Sequence, residues 1–369
     1  MKRSFSVILA LAAAVTAAVG VRKIIQSGIL MKYPEPQYLT DDEKMVRPVY
    51  EQLSKKEKSV YTALYRGIDD YDKNIRLPCE ISGETYSKIY CLLEKQEGEL
   101  FFIDSTYYTA EKVREAKIIY REDKSRIKEM RLELEVAADE GVKKVDGSLS
   151  EYDTVMKIHD YIIKKCRYIE EDEDGYCSTA YGCLVQNEAN CEGYAKAFDL
   201  LASRMGLESV LVTGTTDDGE NHAWNQVKVD GSWYNIDVTW DDTDVDGDMR
   251  RAYFLCDDEL FGETHFPDSE YIRAYDCGDV QDNFYIKNGL YVDSEQAAEE
   301  ILRREIANGA NQAELRFAND ELYDKFMEEY IEGQKIFSLL NENYMGYSRR
   351  ITVSVSENAK ERCITVNWD

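Results

Sequence analysis

The chain has 369 residues, enough for about two to three domains and a sizeable buried core. Hydrophobic residues make up 44% of it and aromatic residues 11%, with only 5 prolines, a composition that excludes a solvated chain or an extended linker. The formal net charge of -27 repels phosphate backbones and anionic headgroups, so nucleic acid and a charge-driven membrane surface are excluded as partners.

The N-terminus has the pattern of a targeting segment. Lys2 and Arg3 precede an uncharged, apolar run from Ser4 to Val21, as in a cleaved signal peptide or a retained signal anchor. Both interpretations fit the run. We therefore expect residues 1–31 to direct the rest of the chain out of the cytoplasm, either secreted or anchored to the membrane by this segment.

The next region carries helical and extended patterns but no recognisable chemistry. Apolar residues at helical spacing predict the helices Asp41–Tyr71, Gly83–Glu97, Ile127–Val142 and Glu151–Cys166. Extended structure is expected over Phe101–Tyr108 and Ala116–Glu122. His159 lies at the edge of the fourth helix and is interpreted as a packed, hydrogen-bonded core histidine.

The C-terminal region alternates strand, helix, strand, helix and a final strand pair. The segments are Phe284–Val292, Glu295–Ala307, Ala313–Phe317, Glu321–Asn341 and Arg350–Trp368. This alternation predicts a small α+β domain. Four regions are expected along the chain. Residues 1–31 form the targeting segment, residues 32–150 a helical or mixed region, residues 151–275 the core described next, and residues 280–369 the C-terminal domain.

Cys191 is placed where a thiol can be activated. The apolar pattern predicts a helix from Cys191 to Met205 that stops at Gly206. The first turn of a helix presents unpaired N–H groups and the positive end of the helix dipole, which favours thiolate. A free cysteine can equally be an inert buried residue, so the helix alone leaves both interpretations open.

A β-hairpin predicts partners for this thiol. Asn221–Val229 and Ser232–Trp240 are alternating runs joined by Asp230-Gly231, which favours a tight type I′ turn. That turn makes His222 and Asp237 diagonal neighbours on the polar face, roughly 7 to 8 Å apart at Cα. The opposite face is apolar and is expected to pack on a core. A histidine held by an aspartate is the base that a cysteine nucleophile needs.

Three blocks of the sequence resemble the core of the bacterial transglutaminase-like superfamily. They are Cys191-Glu192-Gly193-Tyr194-Ala195, His222-Ala223-Trp224-Asn225 and the strand from Trp233 to Asp242. The resemblance extends over about Tyr152 to His265. It implies an α+β, papain-like fold in which a helix bearing Cys packs on an antiparallel sheet bearing His and Asp.

The resemblance also implies roles and a reaction. Cys191 would be the nucleophile, His222 the general base and then acid, and Asp237 the orienting carboxylate. We expect an extracytoplasmic thiol enzyme that hydrolyses, deamidates or transfers peptide or protein amides through a thioester, with cell-wall peptides among its substrates and no cofactor. The alternative is a non-catalytic cell-surface module that binds peptides or assembles on the same fold.

Two further residues are candidates for the cleft. Gln186 could supply an oxyanion donor, as a side-chain amide does in papain-like enzymes, or it could be a surface loop residue. Trp224 could wall the cleft beside His222, or it could be a packed core aromatic.

No metal is expected. The run from Asp242 to Asp248 copies the start of a calcium loop, but its twelfth position is Tyr253 instead of Glu, so an acidic turn is favoured. A zinc site from Cys177, Cys183, Cys191 and His222 has no C-x-x-C pair to anchor it.

The cysteine count is odd, at 9, which leaves at least one thiol unpaired. Cys191 is the candidate. Cys166 lies on an apolar helix face and is interpreted as a core residue, so disulfides among the others are not assumed.

Overall fold

A computed structural model describes residues 33–145, 150–170, 175–243, 249–268, 271–343 and 351–368. The predicted targeting segment and most of the acidic run after Asp242 lie outside these ranges. Within them, no helix combines the length and the apolar composition needed to cross a bilayer.

Helices and strands alternate along the described ranges. The α-helices are Asp41–Met45, Pro48–Glu51, Lys55–Asp69, Gly83–Gln96, Lys124–Lys144, Glu151–Lys165, Cys191–Arg204, Val238–Asp241, Asp258–Phe261, Phe284–Lys287, Glu295–Ala307, Asp320–Phe326 and Lys335–Asn343. A 3₁₀ turn spans Gly98–Leu100, and π-helical segments span Gly182–Gln186 and Met327–Glu332. The strands are β1 Asn74–Ser82, β2 Lys112–Lys117, β3 Arg167–Tyr168, β4 Glu188–Ala189, β5 Ser209–Thr216, β6 Asn221–Val229, β7 Ser232–Ile236, β8 His265–Pro267, β9 Tyr291–Val292, β10 Gln312–Phe317, β11 Val353–Asn358 and β12 Cys363–Trp368.

The chain divides into two compact units. The first contains residues 33–39, Ser54–Tyr90 and Thr106–Ile119. In this unit β1 pairs with β2 in antiparallel fashion. Its helix from Lys55 starts at a capping box in which Ser54 and Glu57 satisfy each other's N–H groups. The first unit carries none of the predicted catalytic residues.

The second unit contains the central sheet, an antiparallel sheet in the order β7-β6-β5-β8. Val229 pairs with Ser232 and Asn225 with Ile236, so the predicted hairpin register is confirmed. Asp230 and Gly231 both have positive φ, 49° and 91°, as a type I′ turn requires.

The cysteine helix, Cys191–Arg204, packs on β5 and β6 of the central sheet. Its bounds confirm the predicted helix to within one residue. It buries an apolar face that includes Tyr194, Phe198 and Leu201. The predicted packing of a Cys-bearing helix on an antiparallel sheet is therefore present.

The predicted strand to Trp240 is wrong beyond Ile236. Val238–Asp241, the capped turn, is helical, because Oδ1 of Asp237 accepts hydrogen bonds from the N–H groups of Thr239 (2.9 Å) and Trp240 (3.2 Å). Aspartate is a strong N-cap residue. The face predicted to be polar is also buried, since His222, Gln226 and Asn235 are all enclosed.

Pattern alone placed several N-terminal elements wrongly. The single helix predicted over Asp41–Tyr71 is three helices, broken before Pro48, whose ring prevents a continuous helix. The strand Asn74–Ser82 was missed, and the second strand lies at Lys112–Lys117, earlier than predicted. No strand forms over 101–108. The predicted helices at Gly83, Ile127 and Glu151 are confirmed.

The C-terminal part of the second unit is a sheet in the order β11-β12-β10-β9. The predicted helix Glu295–Ala307 and the final strand pair are confirmed. Phe284–Lys287 is a helical turn instead of strand, and the predicted helix Glu321–Asn341 is broken at Gly333. A separate apolar cluster that includes Leu302, Phe317 and Trp368 forms the core of this part.

Gly193 should tolerate no side chain. A Cβ there would lie 2.2 Å from the Cys177 carbonyl oxygen and 2.7 Å from Ala189 Cβ, whereas alanine in an open helix position is favoured over glycine. Gly193→Ala is therefore expected to lower the free energy of unfolding by about 1–3 kcal/mol, measured by urea denaturation. The control is Gly278→Ala, where no atom lies within 4 Å of the added Cβ. Equal stability of the two variants would contradict the expectation.

Candidate active site

Cys191 is the first residue of the cysteine helix and is half-buried. The helix is capped by Asn190, whose side-chain oxygen accepts from Gly193 N–H at 3.2 Å, while its Nδ2 donates to Ser178 Oγ at 2.8 Å. Around the thiol pack Ala195, Leu211 and Ala223. The first-turn N–H of Cys191 has no acceptor within the helix, so this end of the helix favours negative charge.

His222 connects the thiol to a carboxylate. Its Nε2 lies 2.6 Å from Asp237 Oδ2, and Cys191 is close enough to the ring to affect its pKa. Burial alone would lower the pKa of His222, but the Asp237 carboxylate and the Cys191 contact outweigh it and raise the pKa to about 10. His222 is therefore an imidazolium at neutral pH, and its positive charge stabilises negative charge on the neighbouring sulfur.

Asp237 is only 1% exposed and uses both of its carboxylate oxygens. Oδ1 caps the turn that follows, and Oδ2 contacts the His222 and His265 rings. Burial would raise the pKa of this carboxyl group, but the two histidines hold it well below its usual range. The carboxylate is thus ionised and fixes the His222 ring in place.

His265 is a site residue to which the sequence analysis gave no role. Its Nε2 lies 3.1 Å from Asp237 Oδ2, and its Nδ1 lies 2.8 Å from Thr264 Oγ1. It reaches the site because β8 pairs with β5, on the side opposite β6. The sequence offers one signal for it: the chain has only 3 histidines, so each of them is a candidate for the site.

An open cleft of about 330 Å³ lies over the thiol and the imidazole. It is lined by Tyr168, Cys191, Thr216, Glu220, Asn221, His222, Thr239, Trp240 and Asp242. The cleft therefore presents two aromatic rings and two carboxylates around the reactive pair, with no lysine or arginine among these lining residues.

The two additional cleft candidates lie elsewhere. Gln186 is exposed at the end of the π-helical segment and is not among the cleft-lining residues. Trp224 is 2% exposed and stacks beneath His222, with ring centroids 6.2 Å apart. The tryptophan that walls the cleft is Trp240, whose ring lies 5.3 Å from that of His222.

A second histidine–aspartate pair lies behind the site. His159 is fully buried, with Nε2 3.1 Å from Asp241 Oδ2 and Nδ1 3.1 Å from Asp160 Oδ1. Burial would lower the pKa of His159, but the two carboxylates raise it. Asp160 is held in turn by Arg251 at 3.0 Å. The interpretation of His159 as a hydrogen-bonded core residue is confirmed.

Among the described residues, one group has the spacing of metal ligands. Ligand atoms of His222, Asp237 and His265 all lie within 4.8 Å of one another. These atoms already form direct hydrogen bonds to each other, which accounts for their proximity without an ion. The cysteine-containing zinc set, which the spacing disfavoured, is not brought together as such a group, and positions 244–248 of the candidate calcium loop lie outside the described ranges.

The nine cysteines all lie in the described ranges, and no disulfide links any two of them. Cys166 is buried, as its position on an apolar helix face predicted. Burial raises the pKa of the fully enclosed Cys256 to about 12, so such thiols stay neutral and inert. Cys191 differs from them because it borders the cleft beside an imidazolium.

Comparison with known proteins gives a family for the central region. Residues 140–238 match the family model described as Transglutaminase-like superfamily. The chain is similar to Kyphoscoliosis peptidase of Mus musculus, at 32% identity over 129 residues, 28% of this chain and 20% of that protein. It is also similar to Kyphoscoliosis peptidase of Homo sapiens, at 28% identity over 188 residues, 41% of this chain and 28% of that protein.

The chain thus spans less than a third of the length of these curated relatives. Among solved structures, it is similar to a TGase at 22% identity, covering 32% of this chain and 34% of that chain with a TM-score of 0.27. The family match coincides with the cysteine helix and the hairpin that carry Cys191, His222 and Asp237. Residues 140–238 therefore form a transglutaminase-like superfamily domain of mixed helix and sheet.

Proposed function

We propose that the chain is a thiol enzyme that acts on peptide or protein amides through a thioester on Cys191. The observation that carries this proposal is the chain of contacts from Cys191 through His222 to Asp237 at the edge of an open cleft. A binding module has no physical need for a fixed imidazolium beside a half-buried thiol.

In the first half of the reaction, Cys191 Sγ attacks the amide carbonyl carbon. The resulting oxyanion is held by N–H at the start of the cysteine helix. As the C–N bond breaks, His222 gives its proton to the departing nitrogen, so an amine or ammonia leaves and a thioester remains. Asp237 orients the ring and stabilises its charge throughout.

In the second half, a nucleophile attacks the thioester carbon. His222, now neutral, accepts the nucleophile's proton as the C–S bond breaks and the thiolate re-forms. Water yields an acid, and an amine yields a new amide. The name peptidase borne by the curated relatives supports hydrolysis as the first reaction to test. Glu220 and Asp242 in the cleft disfavour acidic substrates.

We further propose that the reaction takes place outside the cytoplasm, on peptides of the cell surface or wall. Support comes from the apolar run between Ser4 and Val21 after Lys2 and Arg3. Residues 1–31 fused to alkaline phosphatase, which folds only where disulfides form, should give active phosphatase in a bacterial host. Phosphatase activity no higher than that of a fusion with Lys2 to Lys23 deleted would refute export.

Cys191 should be alkylated by iodoacetamide already at pH 6. The imidazolium of His222 persists up to about pH 10 because its pKa is raised, so a positive charge lies beside the sulfur throughout the neutral range. We expect Cys191 to react at least about tenfold faster at pH 6 than a free cysteine, whose pKa is about 8.5. His222→Ala should abolish this excess, as followed by mass spectrometry of each cysteine peptide.

Cys79 provides the internal control for the alkylation experiment. It is half-buried like Cys191, and burial raises its pKa, so it should stay unlabelled at pH 6 in both proteins. A Cys191 that labels no faster than free cysteine, or a His222→Ala variant that labels as fast as the wild type, would argue against the activated pair.

Turnover should depend on the same thiol. The wild type is assayed for ammonia release from glutamine-bearing casein and for cleavage of wall-derived stem peptides. Cys191→Ala should lower the rate by at least about a thousandfold, since it removes the nucleophile. Cys79→Ala should stay within about twofold of wild type. If the wild type releases nothing while both it and Cys191→Ala bind the peptide equally, the chain is a binding module instead.

A further inference from the structure

The tip of the C-terminal hairpin, residues 359–362 between β11 and β12, contacts segments that line the cleft. Lys360 Nζ is 2.9 Å from Asp217 Oδ1 and 4.7 Å from the centroid of the Trp240 ring. Lys360, Asp217 and Trp240 belong to the same compact unit. A lysine more than a hundred residues from either partner therefore contacts them both.

These two partners belong to different segments of the chain, each of which supplies a residue to the cleft lining. Trp240 lines it from the capped turn, and its ring also contacts that of His222 at 5.3 Å. Asp217 follows Thr216, which lines the cleft from the end of β5. Lys360 thus connects two segments that line the cleft, without being one of the lining residues itself.

The next two residues of the tip contact Tyr253 and Glu263. Glu361 Oε1 accepts a hydrogen bond from Tyr253 at 2.9 Å, and the Tyr253 ring lies 5.1 Å from that of Trp240 and 5.2 Å from that of His265. Arg362 pairs with Glu263 at 2.7 Å. The turn that carries Lys360 is therefore held in place by the contacts of the two residues that follow it.

We propose that Lys360 is a positioning residue that sets the width of the substrate cleft. It does so by holding Trp240 and Asp217, the residue that follows β5, in fixed positions relative to each other. The C-terminal region then acts as part of the peptide-binding site, although it contributes no reacting group. The proposal rests on the proposed function in one respect, since it takes an extended peptide as the occupant of the cleft.

A purely stabilising role for Lys360 predicts a different result. The Lys360–Asp217 pair is 45% and 38% exposed, and such half-exposed pairs contribute little to folding. A cation over an aromatic ring is nevertheless directional, because the charge prefers the face of the ring. Loss of Lys360 should therefore leave the fold intact and release the orientation of Trp240, which a bound peptide would have to restore.

The test uses a peptide reagent that must occupy the cleft before it reacts. The full chain is treated with benzyloxycarbonyl-phenylalanyl-alanyl chloromethyl ketone, and labelling of Cys191 is followed by mass spectrometry. Lys360→Met should raise the half-saturating concentration of the chloromethyl ketone about three- to tenfold. The limiting rate of Cys191 labelling should stay within about twofold of wild type. Lys360→Arg keeps the positive charge over the Trp240 ring, so it should return the half-saturating reagent concentration to near the wild-type value.

Two controls separate positioning from general damage. Lys325→Met removes a lysine of similar exposure that pairs with Glu295 at 2.6 Å, and it should leave half-saturation unchanged. Labelling by iodoacetamide, which needs no peptide site, should be unchanged in Lys360→Met. The proposal is overturned if Lys360→Met saturates like the wild type, if its iodoacetamide rate also falls, or if the wild type shows no saturation. Saturable labelling without turnover on any amide would refute the proposed function and leave the role of Lys360 standing.

Discussion

The carboxylate of Asp237 is the contact on which the candidate site depends. A buried carboxylate costs several kcal/mol unless donors surround it, and here two backbone N–H groups and two imidazoles do so. Each oxygen has its own partners: Oδ1 accepts hydrogen bonds at the start of the capped turn, and Oδ2 contacts His222 and His265. The orientation of the histidine beside Cys191 is thereby tied to the turn that carries the cleft wall.

The capped turn is fixed at both ends by the same kind of interaction. Asp237 precedes it and Asp241 ends it, and all three histidines of the chain contact one or the other of these carboxylates. His159 approaches from the helix Glu151–Lys165, whereas the other two come from the central sheet. Helix and sheet are thus joined through one short segment, and Trp240 lies on that segment between the two carboxylates.

Several groups around the site lie past the matched family region, which ends at residue 238. Trp240 and Asp241 follow it closely, His265 comes from β8, and Lys360 comes from the turn between β11 and β12. The matched region supplies the reactive thiol, the imidazole and the carboxylate. The later parts of the chain support those groups and add Thr239, Trp240 and Asp242 to the lining of the cleft.

The sequence by itself determined the features that depend on near neighbours along the chain. The start of the cysteine helix, the tight turn at Asp230-Gly231 and the resulting proximity of His222 and Asp237 follow from local spacing and turn chemistry. Only the tertiary structure decided where the strand ends, because alternation continues past Ile236 in the sequence while an aspartate cap competes for the backbone. It also decided that His265 joins the site and that Trp240 walls the cleft in place of Trp224, since these contacts depend on strand pairing and packing between residues distant in the chain.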